Sequence, residues 1–220
     1  MIDGVEDLYD YGDVRRLGDA TMFRARVERP LIVLGSSQRQ AILTGQALET
    51  MPVRRRRGGG GVVLLQPGDV WIDWWIPAHD PRWSGDVRES SLRVGRWWME
   101  ALGPLIDGFL HVHDGAVEGA LAHRVVCFAG RGPGEVFVDG RKAVGLTQWR
   151  VHEGNFVSTV LAASSSAAVL DALRISPEGL AGALDHHTLS TLRIGDVDEL
   201  TARLRDVSGP WSLAEHSLGV

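Results

Sequence analysis

The chain has 220 residues, 44% of them hydrophobic and 23% charged, with a formal net charge of −5. This composition suits one large or two small globular units, and it excludes a disordered chain and a globally basic nucleic-acid binder. No apolar run approaches the roughly 20 residues that cross a bilayer, and the acidic first twenty residues lack a secretory leader. One cysteine, Cys127, excludes an internal disulfide and suits a reducing cytoplasm.

In chain order, the first 28 residues are polar, with a short helix expected around Val14 to Arg26. Leu31-Ile32-Val33-Leu34 before Gly35-Ser36-Ser37-Gln38 reads as a buried strand entering a polar loop. A helix or turn follows over Arg39 to Thr50. Val53 to Arg57 leads into four glycines, Gly58 to Gly61, and then into a second buried strand, Val62-Val63-Leu64-Leu65. Pro67-Gly68-Asp69 marks a turn, and the aromatic and β-branched run Val70 to Ile76 predicts a strand.

Leu92, Trp97, Met99, Leu102 and Leu105 fit one face of a helix over Val87 to Leu105. Short strands are expected at Phe109–Val112, Arg124–Phe128, Glu135–Val138, Ala143–Trp149 and Phe156–Leu161. Helices are expected over Ala167–Leu173, Pro177–Leu184 and Asp198–Asp206, with Pro177 suited to a first turn. Strands in two groups around one long helix predict a single mixed α+β domain over residues 1–220.

Two segments invite chemistry. Arg54-Arg55-Arg56-Arg57-Gly58-Gly59-Gly60-Gly61 combines cations with a backbone able to turn its amides toward an anion. It is neither a P-loop nor a dinucleotide fingerprint, because a strand follows instead of a helix. A polyanion-binding surface patch and a flexible hairpin connection are the alternatives. The second segment runs from Val125-Val126-Cys127-Phe128 to Asp139-Gly140-Arg141-Lys142. Of 23 basic residues Lys142 is the only lysine, and it lies 15 positions after the only cysteine. A compact ammonium cannot be exchanged for guanidinium where a site needs it. The Gly-Arg-Gly-Pro-Gly turn between them lets the thiol and the amine share a pocket, where a nearby cation lowers a thiol's pKa. The alternatives are a core cysteine and a solvated lysine. His111, His113, His186 and His187 complete no metal-ligand set.

In order, these segments resemble the lipoate-protein ligase and octanoyltransferase family, related in fold to the biotin-protein ligases and class II aminoacyl-tRNA synthetases. Val33-Leu34-Gly35-Ser36-Ser37-Gln38 is similar to its early strand and Gly-x-x-Gln loop. Arg56-Arg57-Gly58-Gly59-Gly60-Gly61-Val62-Val63 resembles its Arg-Arg-x-(Ser/Thr)-Gly-Gly-x-Ala-Val signature, and Asp139-Gly140-Arg141-Lys142-Ala143-Val144-Gly145 its lysine motif. The resemblance implies mixed, mainly antiparallel sheets packed with helices. It implies an enzyme that joins lipoate or octanoate to a lysine of a lipoyl carrier domain, of the 2-oxoacid dehydrogenase E2 or glycine cleavage H protein type. It also implies ATP and Mg²⁺, through an acyl-adenylate.

By the same resemblance, Lys142 holds the acyl carbonyl or the adenylate phosphate. Gly35, Gly58 to Gly61 and Gly145 pack on the ligand, and Arg57 is the nearby cation. Trp71, Trp74 or Leu64 would line an apolar acyl tunnel. A cysteine-dependent branch of the family takes octanoate from acyl carrier protein, and its Cys-Phe pair matches Cys127-Phe128. The sequence departs from the family in two places. Gly134-Glu135 replaces Asn-Asp before the lysine, and Phe156-Val157-Ser158-Thr159-Val160 stands where a His-Gly pair is found. A homologue that binds an acyl chain or nucleotide without turnover is the third reading. No accessory C-terminal domain, membrane or nucleic-acid partner is expected.

Overall fold

The computed structural model describes residues 3–162, 168–187 and 197–218, backbone only at 120, 123 and 185–187. Its centre is a seven-stranded sheet in the order β10-β1-β5-β9-β8-β7-β6. The strands are β1 (Thr21–Val27), β5 (Val70–Pro77), β6 (Leu110–Val112), β7 (Val136–Val138), β8 (Arg141–Val151), β9 (Gly154–Leu161) and β10 (Ser212–Leu218). All neighbours are antiparallel except β1 and β10. A smaller sheet places β2 (Leu31–Leu34) between β3 (Val53–Arg55), parallel, and β4 (Val63–Leu65), antiparallel. This is the α+β architecture expected from the sequence.

Period-two alternation sends neighbouring residues of β5 to opposite faces. Ile72, Trp74 and Ile76 join Met22, Val157 and Leu161 under the helices α3 (Val87–Leu102) and α7 (Val197–Ser208), packing on Val94, Trp98, Leu200 and Leu204. Trp71 and Trp75 join Phe23, Phe156 and Val160 on the other face, against Leu31 to Leu34, Val62 and Leu65 of the small sheet. Each buried tryptophan removes about 150–250 Å² from water, a gross gain of about 4–6 kcal/mol. The space between the two sheets is where the conspicuous segments of the sequence meet.

Two expectations are corrected, and one strand was not foreseen. The helix expected over Val14–Arg26 is α1 (Tyr11–Arg16), capped by Asp10, whose carboxylate accepts from the amides of Gly12 and Asp13. The rest becomes β1, because Phe23, Ala25 and Val27 alternate into the inter-sheet core. The strand expected over Arg124–Phe128 is instead the end of α4 (Ala120–Val125), one extended residue, Val126, bridged to Val62, and a 3₁₀ turn over Cys127–Ala129. That turn buries Cys127, Phe128 and Ala129 together, which an alternating strand would not do. Finally, β10 carries no apolar alternation. It is a mostly exposed edge strand held by parallel pairing to β1.

The remaining helices are α2 (Gly45–Thr50), α5 (Val169–Ala172) and α6 (Leu180–His187). Ala167, at the start of the expected helix over Ala167–Leu173, lies outside the described residues, as do the side chains of His186 and His187. No helix among the described residues is long and apolar enough to cross a membrane.

Candidate functional site

The four arginines divide their work. Arg54 pairs with Glu6 at 3.4 Å, Arg55 with Asp3 at 2.7 Å, and Arg57 with Asp7. Backbone bonds reinforce this staple: Leu8 donates to the Arg55 carbonyl at 2.7 Å, and Arg55 donates to that of Glu6 at 2.8 Å. The run therefore anchors the acidic N-terminal segment and is not a free polyanion patch.

Arg56 turns inward and is 1% exposed. Its guanidinium donates to the carbonyls of Gly59 at 2.8 Å, Gly61 at 2.7 Å and Val33 at 3.3 Å. The cation set against the glycine backbone is thus Arg56, whereas Arg57, expected in that place, faces Asp7. Burial pulls the Arg56 pKa below the usual guanidinium value, opposed by the neighbouring Cys127, Tyr11 and Asp73.

Gly60 adopts φ +86°, open to glycine at little cost. At Gly35 a Cβ would collide with the Gly60 carbonyl, so the end of β2 and the glycine segment touch backbone to backbone. Ser36 donates to the Gly58 carbonyl at 3.0 Å, and the Thr147 hydroxyl of β8 donates to that of Gly59 at 3.1 Å. The carbonyls of Gly58, Gly59 and Gly61 are therefore taken by protein donors. Among the described residues none accepts from the amides of Gly58 to Gly61. Gln38 explains its place in the Gly-x-x-Gln loop. Its side chain accepts from the Gly35 amide at 3.0 Å and donates to the Val125 carbonyl at 3.0 Å, tying this loop to the segment before Cys127.

Lys142 of β8 is 0% exposed. A register shift between β7 and β8 places Phe137 opposite Lys142 and Val136 opposite Val144. The extra residue lets Ala143 and Val144 both enter the helix-side core. Lys142 and Gly145 then share the opposite face and the 3₁₀ turn of Cys127. The ammonium donates to the Cys127 carbonyl at 2.9 Å and pairs with Glu135 Oε2 at 2.8 Å. Glu135 is 1% exposed, and the same oxygen accepts from the Gly132 amide at 2.6 Å. Two of the three ammonium N–H donors are thus engaged, leaving one for a ligand oxygen. A Cβ on Gly145 would meet Phe128 at 3.2 Å and Cys127 Sγ at 3.6 Å, so this glycine admits the turn to the sheet.

Lys142 therefore reaches the backbone of Cys127, and burial raises the thiol's pKa, with Lys142 and Arg56 pulling the other way. For this thiol desolvation outweighs both cations. Of the expected tunnel residues, Trp71 lines a cavity with Arg56, Cys127, Gly145 and Ser158, and Leu64 lines a neighbouring one with Val62 and Phe128. Trp74 faces the helix side, where it packs on Trp97 and Trp98. Each cavity holds about 10 Å³, room for about one water, whereas small-molecule sites commonly span about 300–1,000 Å³. Among the described residues no group of three or more His, Cys, Asp or Glu side chains is placed to hold a metal ion.

Sequence reasoning missed Asp73, although it is the one charge in the run Val-Trp-Ile-Asp-Trp-Trp-Ile. It is fully buried, accepting from Trp71 Nε1 at 2.8 Å and from the Thr159 amide at 3.1 Å. The Tyr9 hydroxyl lies beside it and favours its charged form without meeting the geometry of a hydrogen bond. Burial dominates and lifts the pKa from 3.8 to about 7. Between those values the folded state holds a proton that the unfolded state has released. This group's stabilisation is complete below pH about 4 and is lost as pH rises through about 7. Urea unfolding at pH 4.5 and 7.5 is expected to show that the stability of the native chain relative to Asp73→Asn falls with rising pH. A pH-independent difference would contradict the assignment.

No protein-family model matches the sequence, and no curated protein matches it. Solved structures do match. A protein from T. acidophilum with bound lipoic acid superposes with a TM-score of 0.68 at 13% identity, over 99% of this chain and 89% of that one. The chain has the fold of the lipoate-protein ligases. A lipoate-protein ligase A bound with ATP gives a TM-score of 0.64 at 12% identity, over 99% of this chain and 90% of that one. A bipartite lipoate protein ligase studied with its E2 lipoyl domain, from Thermoplasma acidophilum, gives 0.66 at 13% identity, over 99% and 88%.

Proposed function

We propose that this protein is a lipoate-protein-ligase-like enzyme that activates a carboxylic acid with ATP and passes the acyl group to a lysine of a lipoyl carrier domain. The observation that carries the proposal is the single lysine of the chain, fully buried between the two sheets. It holds the carbonyl of Cys127, which lines a cavity with Gly145 and with Arg56, the residue that braces the glycine segment. A buried ammonium with a spare N–H suits a carbonyl or phosphate oxygen that gains charge during acyl transfer. The amides of Gly58 to Gly61, in a segment whose carbonyls are held by Ser36, Arg56 and Thr147, suit an anionic group. ATP with Mg²⁺ would supply the leaving group that makes the carboxyl carbon electrophilic. Likeness to a ligase bound with ATP and to one studied with its E2 lipoyl domain supports the co-substrate and the carrier.

A second reading, binding without turnover, is favoured by one observation: the inter-sheet cavities are closed down to about 10 Å³ each. Pyrophosphate release separates the two readings. With lipoate, ATP and Mg²⁺, acid-dependent release is expected, falling by at least about 100-fold when Lys142 is replaced. Lipoate binding without pyrophosphate would leave the non-catalytic reading. Carrier acylation from acyl carrier protein without ATP, abolished by Cys127→Ser, would move the chemistry to the thiol.

A further inference from the structure

Asp73 is the unexplained group of the inter-sheet space. A carboxyl in an apolar wall costs several kcal/mol unless it is matched by donors, so a tunnel built for a plain hydrocarbon chain has no use for one. Asp73 stands opposite Ser158 in the β5–β9 register, and the Ser158 hydroxyl, like that of Tyr9, favours its charged form. Ser158 belongs to Phe156–Val160, the stretch in which this sequence departs from the family's His-Gly pair. Both its side chain and Trp71, which donates to Asp73, line the cavity that reaches Cys127 and Gly145. Two more polar atoms in this neighbourhood are buried and unsatisfied among the described residues. They are Nε of Arg56, itself a lining residue, and the Tyr9 hydroxyl beside Asp73. Buried donors and acceptors are nearly always paired, so an unmatched set around a carboxyl points to a polar guest.

We propose that the acyl group accepted at this site is short and ends in a hydrogen-bonding group, a hydroxyl or an amide. Asp73 and Ser158 read that end, in place of the unsubstituted chain of octanoate. The proposal rests on the acyl-site reading above. Asp73 accepts from the donor of the ligand, while the Arg56 Nε–H and the Tyr9 hydroxyl supply donors for its oxygen. A short chain also displaces the fewest of the packed walls around a cavity of about 10 Å³.

Calorimetric titration of the intact protein with pentanoate, 5-hydroxypentanoate, octanoate and 8-hydroxyoctanoate, each with ATP and Mg²⁺, tests the proposal. The hydroxy acid is expected to bind at least tenfold more tightly than the alkanoate of equal length, with the five-carbon pair preferred. Asp73→Asn keeps an acceptor for the Thr159 amide and should cut that preference at least fivefold. Asp73→Val, β-branched and without an acceptor, should remove it, and circular dichroism melts of both variants confirm folding. Tightest binding of octanoate by the native chain, or a hydroxyl preference unchanged in both variants, overturns the proposal while leaving the acyl site standing. Failure of all four acids and of lipoate to bind overturns the acyl site itself, and the proposal with it.

Discussion

Replacing Lys142 by methionine is expected to lower the free energy of unfolding by about 3–5 kcal/mol, because it leaves the Glu135 carboxylate buried and unpaired. For a chain of this size that is a fall in Tm of roughly 10 °C. Glu135 cannot relax toward water easily. It follows Gly134, at φ +87°, where a Cβ would collide with the Ser91 carbonyl of α3, and its own Oε2 is held by the Gly132 amide. Adding Glu135→Gln to Lys142→Met removes the orphaned charge and keeps an acceptor for Gly132. The double variant should recover most of the loss, giving a coupling energy of about 2 kcal/mol or more in a double-mutant cycle. Additive effects of the two substitutions would show that the pair is solvated and that the site is open. The double variant is also the proper test of catalysis, since its loss of activity is not confounded by unfolding.

Arg56→Ala should cost about 3 kcal/mol or more in urea unfolding. The carbonyls of Val33, Gly59 and Gly61 lose the guanidinium; Gly59 keeps the Thr147 hydroxyl, and each buried group left unsatisfied carries about 1–3 kcal/mol before local relaxation. Arg56→Lys should rescue only part of this, since a point ammonium cannot span carbonyls that the planar guanidinium reaches together. The effect should be local as well as global, with faster amide hydrogen exchange at Gly58 to Gly61. Arg54→Ala and Arg57→Ala, which break more exposed pairs with Glu6 and Asp7, should each stay within about 1 kcal/mol of the native chain. Equal costs for the alanine variants of Arg54, Arg56 and Arg57 would mean that Arg56 has no special place in the loop.

The architecture was legible where periodicity and composition agreed. The buried strands Leu31–Leu34 and Val70–Pro77 and the long helix from Val87 are apolar enough to declare themselves. They fix the two-layer arrangement. Legibility failed where tertiary contacts decide between conformations. Phe23 and Ala25 read equally as part of a helix, and Val125-Val126-Cys127 has β-branched neighbours yet bends into a turn to bury Phe128 beside Lys142. β10 has no apolar pattern to read.

The site followed the same division. Lys142 stood out because arginine replaced every other lysine, and Gly35, Gly58 to Gly61 and Gly145 because their spacing matches known motifs. Which arginine of four turns inward is invisible in a uniform run, since only the strand geometry after Arg55 settles it. The Glu135 pairing depends on a bulge that shifts Lys142 and Gly145 to one face, and no spacing rule shows it. Asp73 could have been found as a lone charge in an apolar strand.

The central claim, an acyl ligase built around Lys142, is tested most directly by the intact mass of a purified lipoyl domain. The domain is incubated with the protein, ATP, Mg²⁺ and either lipoate or a short hydroxy acid. A mass gain of one acyl group is predicted, dependent on ATP and absent with the Lys142→Met/Glu135→Gln variant. An unchanged mass with every acid, or a gain that persists without ATP, would contradict it.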